Sequence, residues 1–351
     1  MEDTIQTGAS RAAERRTTTS MKDVAIEANV SISTVSHVLN NTRPVAEKTR
    51  SRILESMRKL NYYQNVSGRR LARGRSDAFG LIISDIENPF FPELIKTFEQ
   101  SVFKIEFDAL LSTTNYDPNQ ARRAVRRMIE NQVQGVAVMT SQLDKTLVDE
   151  LLANDIPVVL LNGGVPSRGR SNVHVDYLSG AREVVEYLRN MGHRRIDFIS
   201  GQKGHTSANT YKQAFKTVLH EKRLRDARYI EGDETIEGGH TAMLSLLGKN
   251  ELATAVICGN DLMALGAIRA LAENGIAVPA QVSIFGADDI SFARYAYPPL
   301  STVRVDRYQI GKLAFQALQR FVRTKKSGGI KYVVDTHLVV RGSSAAARSS
   351  Q

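Results

Sequence analysis

From Ala78 onward, short apolar runs alternate with amphipathic helical patterns, and this alternation constrains the fold more than any other feature. Continuous Val, Ile and Leu runs are typical of strands buried on both faces of a parallel sheet. The first series reads FGLIIS, FPELIKTFEQSVFKI, ALLST, NQARRAVRRMIEN, VAVMT, LDKTLVDELLAN and PVVLL. Strict alternation of this kind predicts βαβ units and a doubly wound α/β fold.

A second series follows the helical pattern YLSGAREVVEYLRNMG, with the apolar runs IDFIS, ARYIEG, TAVICG and VSIFG. The core of residues 77–341 spans 265 residues, which is large for a single open sheet. We therefore predict an N-subdomain and a C-subdomain with a cleft between them. Their expected ranges are about 77–175 with 304–335, and about 176–303 with 336–341. Ligands of such folds bind outside the carboxyl ends of strands and between domains.

Positive charge is concentrated near the start of the chain. Residues 1–76 hold 14 Lys or Arg and 7 Asp or Glu, a net of +7, whereas the remainder holds 33 and 30, a net of +3. This asymmetry is typical of a segment that binds a polyanion, although a solvated basic surface would give the same count. Residues 1–19 and 342–351 are polar and lack apolar periodicity, so we predict disordered tails.

Composition and motifs argue against several classes of protein. The one Cys cannot form an intramolecular disulfide, and no run approaches the roughly 18 apolar residues of a membrane span. The first residues lack the apolar core of a secretory signal, so we expect a cytoplasmic, nucleoid-associated protein without a membrane partner. Sequence patterns of phosphate-binding loops, zinc proteases, serine hydrolases and dinucleotide sites are absent, and the seven His residues lack metal-ligand spacing. We expect no catalysis, cofactor or metal.

Residues 20–65 contain three short helical signals. Ser20 followed by Asp23 has the pattern of a capping box at the start of the first helix. A second helix is predicted over 31–39 and a third over about 46–60. Two short helices at a tight turn, braced by a third, predict a helix-turn-helix unit. The second helix turns short polar side chains outward, and these suit base edges and phosphates.

The segment SMKDVAIEANVSISTVSHVLNNTRPVAEKTRSRILESMRKLNYYQNVSGRRLARGRS strongly resembles the head of the LacI/GalR family of bacterial repressors. The matching pieces are DVA, VS, TVS, VLN, VAEKTR and LNY, followed by Leu71 and Ala72. The resemblance continues in the core at NPFF (88–91), GHRRI (192–196), CGNDLMALGAIRAL (258–271), PPLSTVR (298–304) and VVRGSS (339–344). It implies a three-helix DNA-binding head over 20–65, a hinge over 66–76 and a two-subdomain periplasmic-binding-protein-like core.

The resemblance also implies which side chains meet DNA. At base edges in the major groove it places Ile32, Ser33 and His37. At phosphates it places Ser31, Thr34, Ser36 and Asn40. In the hinge, which would become helical on DNA, it places Arg69, Leu71 and Ala72, with the Leu as a wedge in the minor groove. Asn29 stands where the family usually has Gly, and Asn tolerates the left-handed conformation better than most residues.

For the core, the resemblance implies an effector between the subdomains. The residues expected to contact it are Phe90, Phe91, Tyr211, Asn260, Asp261 and Asp288. For Phe91 and Asp261, core packing and helix capping respectively remain alternatives. The family commonly has an Arg at the position of Tyr211, and its loss argues against a carboxylate effector held bidentately. Because the family mostly senses sugars, we expect a carbohydrate.

The expected function is a sequence-specific transcriptional regulator, a repressor that acts as a homodimer on pseudo-palindromic double-stranded operator DNA. Effector binding would change operator affinity allosterically, with a sign that the sequence leaves open. Two alternatives from other classes remain. One is a sugar-binding receptor of a transporter, which would use the same core. The other is a non-specific architectural DNA binder.

Overall fold

The computed structural model describes residues 19–40, 42–63, 76–140, 143–224, 227–248, 252–324 and 328–348. The chain forms two compact units, one ending at Arg75 and the other beginning at Ser76. Ser76 was expected in the hinge, but it is buried and its hydroxyl donates to the carbonyl of Gln132 at 3.1 Å. It therefore belongs to the second unit.

The described residues of the first unit, called the head, form three helices. They are α1 (Met21–Glu27), α2 (Ile32–Asn40) and α3 (Glu47–Lys59). The predicted capping box at the start of α1 is present, with Ser20 and Asp23 bonded reciprocally. Asn29 has a φ of 48°, so the turn between α1 and α2 uses the left-handed conformation that we predicted Asn would tolerate.

The head has a small core of its own. Its buried side chains are Val24, Ala25, Ala28, Val35, Val38 and Ile53. They come from all three helices, so the apolar stripe of each helix faces the other two. A salt bridge of 2.5 Å between Lys59 and Glu27 ties the end of α3 to the end of α1. The predicted helix-turn-helix unit with a bracing third helix is confirmed.

The second unit, called the core, is built on eleven strands. They are β1 (Ala78–Ile83), β2 (Asp108–Thr113), β3 (Val136–Met139), β4 (Val158–Leu161), β5 (Arg170–Asp176), β6 (Ile196–Ser200), β7 (Tyr229–Glu231), β8 (Ala255–Cys258), β9 (Ser283–Asp288), β10 (Ser301–Val305) and β11 (Lys331–Val339). The strand order is β2-β1-β3-β4-β5-β11-β10-β9-β8-β6-β7.

Eight α-helices in the described part of the core accompany these strands. They are α4 (Phe91–Phe103), α5 (Pro118–Glu130), α6 (Lys145–Ala153), α7 (Tyr177–Asn190), α8 (Thr206–Glu221), α9 (Ile236–Leu247), α10 (Asp261–Glu273) and α11 (Arg307–Arg323). Strands and helices alternate as the apolar runs predicted, except that no α-helix lies between β4 and β5 or between β9 and β10, where Ser291–Arg294 form a 3-10 helix. Every residue of β1 and β8 is buried, as expected of strands covered on both faces.

β11 divides the core into two lobes. Its residues 331–335 run parallel to β5, and its residues 336–339 run antiparallel to β10. We call β1–β5 with the first half of β11 the N-lobe, and β6–β10 with the second half of β11 the C-lobe. The remaining strand pairs within each lobe are parallel. The predicted two-part doubly wound core is thereby confirmed.

The end of the chain corrects one expectation. Disorder was predicted over 342–351, but residues 342–348 pack on the C-lobe. Ser343 is fully buried, and its hydroxyl donates to the carbonyl of Ile284 at 2.6 Å. A ring nitrogen of His193 is hydrogen-bonded to the carbonyl of Ala345 at 2.9 Å. Small side chains let this segment approach closely enough to bond through its backbone, which composition alone does not reveal.

Within the described residues, no helix is both long and apolar enough to cross a membrane.

Candidate functional site

The outward face of α2 carries the head residues that were assigned to DNA. Ser31, Ile32 and Ser33 are exposed, and Ile32 has 48% of its surface accessible. Thr34, Ser36, His37 and Asn40 are partly buried. Because Val35 and Val38 fill the inner face, the helix presents one apolar and several polar side chains to solvent. The sequence of α2 contains no Asp or Glu that would repel phosphates.

Hydrogen bonds within the head fix the orientation of several of these side chains. The Ser31 hydroxyl accepts the backbone N–H of Thr34 at 3.1 Å, which caps the start of α2. Asn40 donates to the Ser36 hydroxyl at 3.1 Å. The Nδ1 atom of His37 is hydrogen-bonded to the Thr42 hydroxyl at 2.8 Å, which leaves Nε2 as the ring atom available to a base. The DNA assignments Arg69, Leu71 and Ala72 lie outside the described residues.

A pocket lies between the two lobes of the core. It is lined by Ser84, Asn88, Phe90, Phe91, Tyr116, Met139, Leu161, Tyr177, Ser207, Ala208, Tyr211, Glu234, Gly259, Asn260, Ala287 and Asp288. These residues sit after strands of both lobes, where ligands of doubly wound folds bind. Five of the six predicted effector residues are in this set.

Phe90 and Phe91 form the N-lobe wall at the start of α4. Their rings meet edge to face with centroids 5.3 Å apart, and both side chains are more than nine-tenths buried. Asn88 accepts the backbone N–H of Phe90 at 3.0 Å and shapes the turn that places them. Phe91 thus packs in the core and also borders the pocket, so the two roles considered for it coincide.

Tyr211, in the second turn of α8, forms part of the C-lobe wall. Its ring contacts those of Tyr177 and Phe215, with centroids 5.2 and 4.9 Å away. Its hydroxyl is buried and has no hydrogen-bond partner within the described residues. Burial and the nearby Asp288 carboxylate raise the pKa of Tyr211 well above its ordinary value, so the hydroxyl stays protonated. A buried donor without a partner is suited to a ligand acceptor.

Asn260 and Glu234 form the opposite corner of the pocket. The Asn260 oxygen accepts the N–H of Met263 at 2.9 Å and caps α10, while its amide donates to the carbonyl of Glu234 at 2.9 Å. The Glu234 carboxylate lies 2.6 Å from Nδ1 of His205. Asn260 therefore holds the loop of Glu234 in place as well as bordering the pocket.

Asp288 is the last residue of β9 and has a φ of 103°, a strained value for a residue with a side chain. Burial raises the pKa of its carboxyl to about 7, and the Glu234 carboxylate adds to this while Arg307 opposes it. Backbone strain and a perturbed carboxyl in one pocket residue are features of functional sites. Asp288 is the charged group best placed to meet a ligand.

Asp261 does not line the pocket, which corrects its assignment to the effector. It is fully buried, and its carboxylate accepts the Thr302 hydroxyl at 2.5 Å and the N–H of Ile290 at 2.8 Å. Both oxygens are therefore used to join α10 to the segments around β9 and β10. Its position one residue after the cap of α10 turns it toward this interior rather than toward the pocket.

Several lining residues were missed by the sequence reasoning, notably Tyr116, Tyr177 and Glu234. Tyr116 follows β2 with a left-handed φ of 57°, and Glu234 follows β7 with a φ of 70°. Burial raises the pKa of both Tyr116 and Tyr177, so these phenols remain neutral. Their positions after carboxyl ends of strands were the one signal that could have revealed them.

The pocket is acidic and aromatic. Asp288 and Glu234 line it, and none of the described lining residues is Lys, Arg or His. Such a site can hydrogen-bond donors and stack on flat or apolar faces, but it repels anions. Elsewhere in the described residues, no cluster of three His, Cys, Asp or Glu side chains could hold a metal ion.

Comparisons with known proteins agree with this architecture. Residues 20–65 match the family described as bacterial regulatory proteins, lacI family, and residues 185–344 match the periplasmic binding protein-like domain. The chain is 32% identical to the HTH-type transcriptional repressor PurR of Haemophilus influenzae strain PittEE, over 92% of this chain and 98% of that protein. It is 32% identical to the repressor CytR of Escherichia coli K12, over 96% and 99%. A crystal structure of the lac repressor dimer bound to operator and the anti-inducer ONPF matches with a TM-score of 0.84 at 25% identity, over 93% and 99%.

The two-lobed core with a pocket, joined to a helix-turn-helix head, defines a ligand-controlled DNA-binding protein. The chain belongs to the lacI family of bacterial regulatory proteins. It is a DNA-binding transcriptional regulator with an effector-binding core, and the relatives named above are transcriptional repressors rather than enzymes.

Proposed function

We propose that the protein represses transcription as a homodimer whose two heads read the half-sites of a pseudo-palindromic operator. The observation that carries this is the outward face of α2, where Ile32 and Ser33 are exposed on a helix without carboxylates. Such a face can enter the major groove without repelling phosphates. The protein would act in the cytoplasm at the nucleoid. It would regulate transcription by binding DNA and an effector, without catalysing a reaction.

The test compares an operator selected by the protein from randomised DNA with a scrambled duplex of the same composition. A sequence-specific regulator binds the selected duplex at least about 10³-fold more tightly. Equal affinity for the two duplexes would favour an architectural DNA binder instead. The basic head over 20–65 argues against a transporter receptor, which needs no DNA-reading helix.

The hinge adds a second part to the DNA proposal. We propose that residues 66–73, which lie outside the described residues, become helical on the operator and that Leu71 enters the minor groove as a wedge. The support is the family resemblance of this segment and its four Arg residues. Circular dichroism of the full chain should show added helix on the selected operator but not on the scrambled duplex. No gain of helicity on the operator would overturn the hinge proposal.

For the effector we propose an uncharged carbohydrate. Sugars present apolar faces that stack on rings such as Phe90 and Tyr116, and hydroxyl groups that donate to carboxylates such as Asp288. The free hydroxyl of Tyr211 would donate to a ring or hydroxyl oxygen. Sugar acids and sugar phosphates are disfavoured, because Asp288 and Glu234 would repel them and none of the described lining residues is a cation.

A thermal-shift panel of neutral monosaccharides, disaccharides, nucleosides and sugar phosphates tests this proposal. A neutral ligand at 100 times its dissociation constant stabilises the folded protein by about 2.7 kcal/mol. Asp288→Asn should abolish the shift, whereas Asp149→Asn, at an exposed position on α6, should leave it intact. A panel in which only phosphorylated sugars shift the melting temperature would overturn the proposal.

The dimer is supported by an exposed apolar surface, called here the aromatic patch, formed by Phe292, Tyr295 and Tyr297 in the segment that follows β9. Their exposed fractions are 57%, 82% and 97%. Clustered exposed rings on one segment are typical of protein contacts rather than of free surface. The lac repressor structure noted above is itself a dimer on operator DNA.

A further inference from the structure

One guanidinium, that of Arg307, bonds to segments of both lobes beside the pocket. Arg307 is the first residue of α11, and 11% of its side chain is exposed. Its Nη1 donates to the backbone carbonyl of Asp288 and its Nη2 to that of Asp289 at 3.0 Å. Its Nε donates to the Glu93 carboxylate at 2.9 Å. Arg307 is therefore bonded on one side to the C-lobe and on the other to α4 of the N-lobe.

The backbone that Arg307 holds is strained. Asp288 and Asp289 have φ values of 103° and 52°, and strain of this kind persists only where surrounding groups hold it. Arg341 donates to the Asp289 carboxylate at 2.6 Å and fixes the far side of the same turn. The two carbonyls facing Arg307 thus belong to the residue pair that presents the Asp288 carboxylate to the pocket.

The N-lobe partner of Arg307, Glu93, also lies close to the pocket. Glu93 lies two residues after Phe91, in the first turn of α4. α4 and α11 are in close contact: a Cβ atom at Gly311 of α11 would lie only 2.7 Å from the carbonyl oxygen of Leu94 of α4. Because the two helices are in such close contact, a displacement of Arg307 would also displace the start of α4, where Phe90 and Phe91 form the pocket wall.

We propose that Arg307 is a positioning residue that couples Asp288 in the C-lobe to the aromatic wall of α4 in the N-lobe. A ligand that moves Asp288 then moves α4 through the fork Asp288–Arg307–Glu93. This inference rests on the proposed effector site but needs no particular ligand. A buried charged group bonded to both lobes is the kind of contact through which ligand binding can change the geometry of the lobes.

Hydrogen–deuterium exchange on the full chain, without effector or DNA, tests the coupling. Arg307→Met should speed exchange about tenfold both in the peptide around 286–292 and in that around 88–94, because charge-assisted hydrogen bonds are lost to both. Arg307→Lys keeps the positive charge, but one ammonium group cannot bond to both lobes at once. This variant should therefore show the wild-type exchange rate in at most one of the two peptides. Arg126→Met, which removes an exposed pair with Glu130, is the control and should alter neither peptide.

A double-mutant cycle separates coupling from simple loosening. At pH 8, where the Asp288 carboxyl is ionised, Asp288→Asn removes the negative charge beside the guanidinium while leaving the carbonyl contacts, and it should speed exchange at 88–94 in the wild-type background. In the Arg307→Met background, Asp288→Asn should not increase the exchange rate of the 88–94 peptide any further. Full additivity, or an Arg307→Met effect confined to 286–292, would overturn the proposal. Because no sugar is present, that failure would leave the carbohydrate proposal standing, and the thermal-shift panel would decide it separately.

Discussion

Tyr116 of the N-lobe stacks on His205 of the C-lobe, with ring centroids 4.7 Å apart and planes inclined by 12°. Tyr116 follows β2 in a left-handed conformation, and His205 precedes α8 and is almost fully buried. Nδ1 of His205 lies 2.6 Å from the Glu234 carboxylate, while its Nε2 has no partner in the described chain. The stack is thus a direct contact between the lobes at the edge of the pocket.

Removing this stack should open the lobes. Tyr116→Ala deletes an aromatic contact of about 1 kcal/mol and should shift the population toward open forms about fivefold. Spin labels on Asp149→Cys and Ser245→Cys, at exposed sites of α6 and α9, would report a longer and broader distance distribution. Burial raises the pKa of the Cys258 thiol and shields it from labelling.

Tyr308→Ala, which removes an exposed ring from α11, is the matched control and should leave the distances unchanged. If Tyr116→Ala gives the wild-type distribution, the stack does not hold the lobes together.

The pocket carboxyl should give the protein a pH-dependent stability. The pKa of Asp288 is about 7 in the fold and 3.8 for the free group. Between these values the unfolded chain releases a proton that the folded chain retains, so the free energy of unfolding falls as pH rises and levels off above 7. The full difference corresponds to at most about 4 kcal/mol.

Asp288→Asn removes this ionisation. The variant should therefore gain stability relative to wild type as pH rises from 4 to 7, measured by urea unfolding at each pH. Asp149→Asn should follow the wild-type profile throughout. Parallel curves for wild type and Asp288→Asn would show that the Asp288 carboxyl is not held protonated by the pocket.

Strands buried on both faces were predictable from apolar runs, and strands defined by their partners were not. β3 (VAVM) and β8 (AVIC) are continuous apolar segments with every residue buried. β11 (KYVVDTHLV) is only intermittently buried, because it passes from one lobe to the other and much of it faces solvent. No local pattern predicts such a strand. It pairs in parallel with β5, more than a hundred positions earlier in the chain, and antiparallel with β10.

The pocket shows the same division. The resemblance led to Phe90, Tyr211 and Asp288, which all line it. It also led to Asp261, whose neighbour Asn260 reaches the pocket while Asp261 itself is directed into the interior. Tyr116 and Glu234 come from loops whose one sequence signal is their position after a strand, and only the packing of the two lobes brings them to the same pocket.

The head offers a test that separates DNA reading from folding. Ile32→Ala should weaken binding to the selected operator by about 10- to 100-fold, since an apolar contact with a base is lost. Because Ile32 is exposed, the melting temperature of the head should change little. Val35→Ala, in the fully buried core of the same helix, should instead lower stability by about 1–2 kcal/mol.

Fluorescence anisotropy on operator and scrambled DNA, with thermal unfolding in parallel, distinguishes the two effects. If Ile32→Ala weakens both duplexes equally, Ile32 does not read bases. The same outcome for His37→Ala would remove His37 from the base-reading set.

The aromatic patch should hold two copies of the chain together. Tyr295→Asp places a charge where 82% of the ring is exposed in one chain, so it should leave the fold intact while opposing burial of the patch between copies. Sedimentation velocity should then show monomer at concentrations where wild type is a dimer. Operator affinity should fall sharply, because a monomer binds only one half-site at a time. Tyr308→Asp, at an exposed position of α11 outside the patch, should remain dimeric. A dimeric Tyr295→Asp variant would place the subunit interface on another surface of the core.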